Sequence, residues 1–234
     1  MPRFEYLTER FLTAARAGGG GVAGACAASV RVLPVQRAAI VIDEHHAGMQ
    51  PWWSSDEVAA GVESVQATVG EGPAVEAAAT GEPVGVADLA GGCERWPGFA
   101  EALAWTGISG AMIAMPLRLG EIRFGALDLY RDIPGRLDAR MMSAGLHVAD
   151  LITTQLVVAR AAGLPGGAPA DAPWLEQPLS SRAIHQAAGM VVAQAGVRVP
   201  DAYARLRAYA FGHALSLSEV AAAVVARRVR FDRD

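Results

Sequence analysis

Lysine is absent from this 234-residue chain, so all 20 of its basic residues are arginine. Cysteine is almost absent, since only Cys26 and Cys93 occur, far apart and outside any CxxC pair. This usage fits free thiols in a reducing cytosol better than the disulfide framework of a small secreted domain.

Long apolar runs are missing as well. The first residues, MPRFEYLTERFL, contain acidic side chains and no apolar core of a signal peptide. No stretch reaches the roughly 20 apolar residues that cross a membrane. We therefore expect a soluble, cytoplasmic protein without a membrane partner.

Charge is distributed unevenly along the chain. Residues 1–178 hold 12 Arg against 20 Asp and Glu, a balance of −8, whereas residues 179–234 hold 8 Arg against 4 acidic residues, a balance of +4. An acidic body with a basic C-terminal segment indicates two modules, of which the smaller suits an anionic partner.

The first module alternates helical and strand patterns in the order αα-ββ-αα-β-α-ββ-α. Two apolar strands flank a turn at 119–121, and a long helix follows from about 137 to 161. This order predicts an α+β domain, an antiparallel sheet flanked by helices.

A segment without periodicity separates the modules. Residues 161–178 are rich in Pro, Gly and Ala, a composition typical of linkers. We therefore predict a first domain at 1–161, a linker at 162–178 and a second domain at 179–234.

The second domain has the pattern of three short helices. The apolar spacing from Ile184 predicts the first helix, Pro200 opens the second, and Ser216 with Glu219 forms a capping box for the third. The outward face of the first helix holds Arg182, Gln186 and Gly189, with His185 at its edge.

These residues carry a resemblance to the ANTAR domain. The matching features are the Ser-Arg start at 181–182 and the patterns Ile184-x-Gln186-Ala187-x-Gly189, Ala202-x3-Leu206-x3-Ala210 and Leu217-x2-Val220-Ala221. The resemblance implies a three-helix, all-α RNA-binding domain that stabilises a tandem stem-loop antiterminator in nascent transcripts. The residues that we predict to contact RNA are Arg182, His185, Gln186, Gly189, Arg205, Arg207 and Tyr209.

One position departs from the family pattern. ANTAR domains commonly read Gln-Ala-Lys-Gly in the first helix, and Ala188 stands in the place of that lysine. A missing cation removes a phosphate contact or an ion pair, which weakens electrostatic RNA binding without affecting the fold. The alternative function is a ligand-sensing or dimerisation scaffold whose ANTAR module no longer binds RNA.

The first domain resembles the GAF domains that often precede ANTAR domains. The segments VQATVGEGPAVEAAATGEPVGVADLA and GISGAMIAMPLRLGEIRFGALDLYR carry this resemblance, which covers roughly residues 18–161. It implies a PAS-like sensor that binds a small ligand or serves for dimerisation, and the ligand is unknown. Trp52, Trp96 and Trp105 are our candidates for lining a pocket, and core or rim positions are the alternative.

Two further patterns have a simpler interpretation. The run Asp-Glu-His-His at 43–46 suggests a metal site, but consecutive side chains in a hairpin point to opposite faces, so we expect a solvated turn and no metal. The GEGP at 70–73 predicts a corner between helices rather than a nucleotide site.

The apolar stripe from Gly145 to Ala159 fits either a coiled-coil seam or packing on the sheet. We favour a homodimer because two stem-loops suit two RNA-binding domains.

Catalytic motifs are missing from the sequence. We find no nucleophile elbow, P-loop, HExxH or kinase signature, and therefore do not expect an enzyme. DNA binding by a helix-turn-helix is disfavoured because the second C-terminal helix offers few polar residues that read bases. The sequence thus predicts an RNA-binding antitermination regulator in which a GAF sensor controls an ANTAR domain.

Overall fold

A computed structural model describes residues 2–136, 138–162 and 179–232 of the chain. Apart from residue 162, the predicted linker lies outside the described residues. The first domain contains helices α1 (Pro2–Ala17), α2 (Gly21–Val32), α3 (Glu57–Val69), α4 (Pro73–Thr80), α5 (Pro97–Ala104) and α6 (Ala139–Ala162). Its strands are β1 (Arg37–Asp43), β2 (Met49–Ser54), β3 (Val84–Val86), β4 (Ala111–Leu119) and β5 (Ile122–Arg131), and a single 3-10 turn, His45–Ala47, joins β1 to β2. The second domain consists of α7 (Leu179–Ala195), α8 (Val199–Gly212) and α9 (Leu217–Val225).

The five strands form one antiparallel sheet in the order β2-β1-β5-β4-β3. Successive side chains of a strand point to opposite faces, so the apolar strands supply two cores. Ile40 belongs to the core under α1, α2 and α6, whereas its neighbour Val41 belongs to the core under α3, α4 and α5. The predicted α+β class is confirmed.

Helix α6 packs against the sheet of its own domain. Ala149, Ile152 and Leu156 are buried in the core shared with α1 and α2, and a side chain at Gly145 would meet Met115. The apolar stripe is therefore occupied within the chain, and it does not provide a free coiled-coil seam. The homodimer stays a prediction.

Helix α6 also bears on the expectation about membranes. By length and composition, Ala139–Ala161 is apolar enough to cross a bilayer, as is the bent pair of α8 and α9 if counted as one span. The expectation that no stretch has this character is therefore wrong for α6. Core helices of soluble proteins meet the same criterion, and 39% of this apolar window is buried inside the protein.

The three C-terminal helices share a separate core. Its fully buried centre includes Val191 of α7, Leu206 of α8 and Val220 of α9. The predicted capping box is present, because the Ser216 hydroxyl accepts the Glu219 N–H at 3.2 Å and the Glu219 carboxylate accepts the Ser216 N–H at 2.8 Å. The hydrogen bond from the Ser216 backbone lowers the pKa of Glu219.

Candidate nucleic-acid interface

The outer face of α7 is open to solvent. Arg182, Gln186 and Gly189 are all exposed, and their spacing of four and three residues places them on one side of the helix. A side chain at Gly189 would meet no atom within 4 Å, so nothing covers the backbone there. We call these three residues the α7 strip; it combines a cation, an amide and an accessible backbone.

His185 lies at the edge of this strip and contacts the first domain. Its Nε2 is 2.7 Å from the Glu44 carboxylate, and its Nδ1 is 2.6 Å from the Tyr203 hydroxyl. A carboxylate can only accept, so Nε2 carries the proton that it donates to Glu44. The Glu44 side chain is 9% exposed and also accepts the Trp52 indole N–H at 3.3 Å. His185 thus links α7 to the turn after β1.

Arg207 of α8 is the second predicted RNA contact that faces the first domain. Its guanidinium donates to the Ala47 carbonyl at 3.2 Å, and the side chain is half-buried. Burial lowers the pKa of Arg207, because removal from water penalises the charged form. Within the described residues no carboxylate forms an ion pair with it.

Arg205 and Tyr209 lie four residues apart on α8 and share a side of the helix away from Arg207. Both are half-buried. The Tyr209 ring stacks on His213 with centroids 3.9 Å apart and meets Phe231 edge-on at 5.6 Å. The seven predicted RNA contacts are therefore divided between the exposed α7 strip, this side of α8 and the contact with the first domain.

Three further contacts join the domains, and the sequence predicted none of them. The backbone N–H of Leu217, at the start of α9, donates to the Thr68 hydroxyl at 3.0 Å. The Trp105 ring lies 5.8 Å from the Phe211 ring. Ala47 is 1% exposed and belongs to the core of the three-helix domain. We call this set of contacts, together with those of His185 and Arg207, the docking interface.

Comparison with known families assigns both domains. Residues 23–159, more than half of the chain, match the GAF domain, and residues 175–225 match the ANTAR domain. The chain belongs to the GAF family and carries an ANTAR domain. GAF domains bind small ligands and ANTAR domains bind RNA, so the protein is a regulator that joins a sensor to an RNA-binding module. Both are regulatory rather than catalytic domains.

Comparison with individual proteins adds little beyond the families. No curated protein matches the chain. The GAF domain of a phosphoenolpyruvate-protein phosphotransferase from Coxiella burnetii is similar at 14% identity, over 68% of this chain and 98% of that one, with a TM-score of 0.49. The chromophore-binding domain of a bacteriophytochrome from R. palustris is similar at 13% identity, over 68% and 63%, also with a TM-score of 0.49.

The three candidate pocket tryptophans of the GAF domain lie apart. Trp52 is half-buried against the core under α1, α2 and α6, and Trp96 is buried in the core on the opposite face of the sheet. Trp105 is 56% exposed and contacts Phe211 of the ANTAR domain. The structure therefore does not bring them together around one cavity.

A cluster of polar side chains is buried between the GAF sheet and α3. The Tyr130 hydroxyl donates to Glu63, and the Gln66 amide donates to Glu63 at 2.9 Å and to Asp128 at 3.2 Å. Burial raises the pKa of Glu63 to about 7 and raises the pKa of Asp128 well above its usual range. The sequence analysis did not predict this cluster, although one signal was present: Asp128 interrupts the apolar run of β5, which indicates a buried acid.

The run at 43–46 belongs to the docking interface through Glu44. Among the described residues, no group of three or more His, Cys, Asp and Glu side chains is placed to hold a metal ion. The two cysteines are buried, and burial raises the pKa of Cys93 to about 11. A thiol of this kind is less reactive than an exposed thiol of low pKa.

Proposed function

We propose that this protein is a transcription antitermination regulator whose ANTAR domain binds tandem stem-loop RNA under the control of its GAF domain. The α7 strip carries the RNA-binding part of the proposal. A guanidinium pairs well with phosphate, and an amide can contact sugar or base. A glycine without a covering side chain lets the RNA backbone approach the helix closely. Arg182, Gln186 and Gly189 present these groups side by side.

The position of Ala188 weakens the scaffold alternative. That alternative depends on the loss of a family lysine, but Ala188 is 2% exposed and lies in the core of the three helices. A cation at this position would have to extend out of the core to meet a phosphate. The alanine does not interrupt the exposed α7 strip, which keeps a cation of its own in Arg182.

The docking interface supports control by the GAF domain. His185 and Arg207 are predicted RNA contacts, and both are bound to the GAF domain by hydrogen bonds. While the domains are docked, Arg207 is half-buried and faces the GAF domain, which opposes its contact with an RNA phosphate. A signal that loosens the interface would then release two further contacts for RNA.

RNA binding is tested by titrating the full chain against a two-stem-loop RNA over a series of salt concentrations. We expect micromolar or tighter binding that weakens with salt. The variant Arg182→Ala should bind more weakly, and the slope of its log affinity against log salt concentration should be smaller by about 1, the equivalent of one phosphate contact. Arg140→Ala, which removes an exposed charge from α6, is the matched control and should bind like the wild type. Absent or salt-insensitive binding would contradict the proposal and favour the scaffold.

Control by docking is tested with Thr68→Val. This isosteric change leaves the Leu217 N–H without its acceptor whenever the domains are docked, which costs about 1–3 kcal/mol. Docking becomes less favourable by this amount, so we expect RNA affinity to rise. The largest possible rise is about 5-fold for a cost of 1 kcal/mol and about 150-fold for a cost of 3 kcal/mol.

The control for Thr68→Val is Thr154→Val. Both hydroxyls donate to the carbonyl four residues earlier in their helix, Thr68 at 2.7 Å and Thr154 at 2.8 Å, but Thr154 is exposed on α6 and is not one of the residues of the docking interface. Equal RNA affinity in the two variants would show that docking does not oppose RNA binding.

A further inference from the structure

A cavity of about 310 Å³ lies where the two domains meet. The β1–β2 turn, α3 and α4 of the GAF domain form most of its wall, and Arg207 of the ANTAR domain completes it. Side chains such as Phe99, Leu103 and Met112 are buried in the core between the GAF sheet and its helices and do not line this cavity. Because Arg207 belongs to the ANTAR domain, the cavity is a feature of the domain junction.

Two arginines line this cavity without a carboxylate partner. Arg207 donates to the Ala47 carbonyl, and Arg123 of the GAF domain donates to the Ala79 carbonyl. In the part of the chain that the structure describes, neither guanidinium forms an ion pair. Each guanidinium has five N–H donors, so both keep donors for another acceptor. Burial also lowers the pKa of Arg207, which shows the cost of an unpaired charge at this place.

The remaining wall is suited to a small ligand. Gly48 and Gly70 flank Arg207, and a side chain at either position would come within 4 Å of it. Both have a positive φ, +73° and +74°, so glycine fits the backbone and leaves the guanidinium accessible. Most other lining residues are apolar, as in typical ligand sites, and Asp43 is the carboxylate among them.

We propose that this cavity binds a small organic anion through Arg123 of the GAF domain and Arg207 of the ANTAR domain. The recognised group is a carboxylate or a phosphate, since both match the geometry of a guanidinium. The volume is near the lower limit for ligand pockets, about 300 Å³, which favours a compact metabolite.

The regulatory consequence rests on the proposed function. A ligand that contacts both domains stabilises the docked arrangement and occupies a predicted RNA contact. The anion should therefore lower RNA affinity. The binding site itself is independent of this consequence, because no RNA takes part in it.

Thermal unfolding of the full chain tests the site with two probes, sodium phosphate and sodium malonate, each compared with sodium chloride at equal ionic strength. A ligand that binds only the folded state raises the transition temperature with its concentration. We expect a saturable rise with phosphate, malonate or both, and the more effective probe identifies the preferred group. The rise should disappear in Arg123→Gln and Arg207→Gln and remain in the control Arg140→Gln.

Arg207→Gln could lose the response because it loosens the docking interface rather than because it removes an anion contact. Arg123→Gln avoids this ambiguity, since the hydrogen bond of Arg123 lies within the GAF domain. The absence of a saturable rise with either probe, or an equal rise in Arg123→Gln and the wild type, would overturn the site.

A second assay separates the site from the proposed function. At equal ionic strength, saturating probe should reduce the RNA affinity of the wild type at least about fivefold and leave that of Arg123→Gln unchanged, a coupling of ordinary size. If the protein does not bind RNA, the thermal assay still shows whether the cavity binds an anion. If neither probe raises the transition temperature, the anion site is refuted, whereas RNA binding is tested independently by the titration of the wild type and Arg182→Ala.

Discussion

Stability should fall as pH rises through neutrality, because of the acid pair buried beneath α3. Burial raises the pKa of Glu63 from its usual 4.5 to about 7 and raises the pKa of Asp128 well above its usual range. Both groups return to ordinary pKa values when the chain unfolds. Between these values the folded protein holds protons that the unfolded chain has released.

The sign follows from proton linkage. The unfolding free energy falls with pH wherever the folded state binds more protons than the unfolded state. The stabilisation is complete below pH 4.5, the ordinary value for Glu63, and it is lost as the pH rises through about 7. One unit of pKa corresponds to about 1.4 kcal/mol, so Glu63 accounts for about 3 kcal/mol over this window.

Urea unfolding, followed by tryptophan fluorescence between about pH 5 and pH 8, measures this dependence. The double variant Glu63→Gln, Asp128→Asn replaces both acids by isosteric amides that do not titrate. Its unfolding free energy should decline less over this range than that of the wild type. The difference should be at least about 2.5 kcal/mol, which is the share of Glu63 between pH 5 and pH 7, because the loss of Asp128 adds to it.

The matched control is Glu101→Gln, Asp150→Asn, which removes one Glu and one Asp from exposed helical positions. This control should keep the decline of the wild type. If the buried and exposed double variants show the same pH dependence, then the buried pair does not hold protons in the folded protein, and the reasoning is refuted.

Two further predictions concern stability. Gly125→Ala should reduce the unfolding free energy in urea by about 1–3 kcal/mol or more, or prevent folding. Gly125 has a φ of +155°, and an added Cβ would clash with the Val41 carbonyl oxygen. The control is Gly85→Ala, which should cost much less because a Cβ there meets nothing within 4 Å. Ser216→Ala should destabilise the ANTAR domain by about 1 kcal/mol in the same assay, because it removes the cap of α9. The exposed Ser143→Ala is its control, and an equal loss in both serine variants would refute the role of the cap.

Local structure followed closely from local sequence. The apolar runs on either side of the turn at 119–121 predicted the β4–β5 hairpin, and the turn has Gly120 at a φ of +59° as such a turn requires. Ser216 and Glu219 predicted the capping box because that motif involves only residues three apart. Periodicities of this kind report contacts within one helix or one pair of strands.

The partner of an apolar or polar face could not be predicted in the same way. The stripe on α6 indicated a buried face, but spacing does not distinguish a second chain from the sheet of the same domain. The tryptophans were grouped by residue type, whereas the fold placed Trp52 and Trp96 on opposite faces of the sheet. The proton-holding pair of Glu63 and Asp128 is joined only by the packing of α3 on β5.

The sequence by itself determined two modules of opposite charge, the α+β class of the first, the three helices of the second and the α7 strip, because composition and short-range periodicity contain this information. The tertiary structure alone decided the docking interface. His185 and Glu44 are 141 residues apart, and Thr68 and Leu217 are 149 apart. Hydrogen bonds over such separations depend on how whole domains pack, so no local pattern reveals that His185 and Arg207 face the GAF domain.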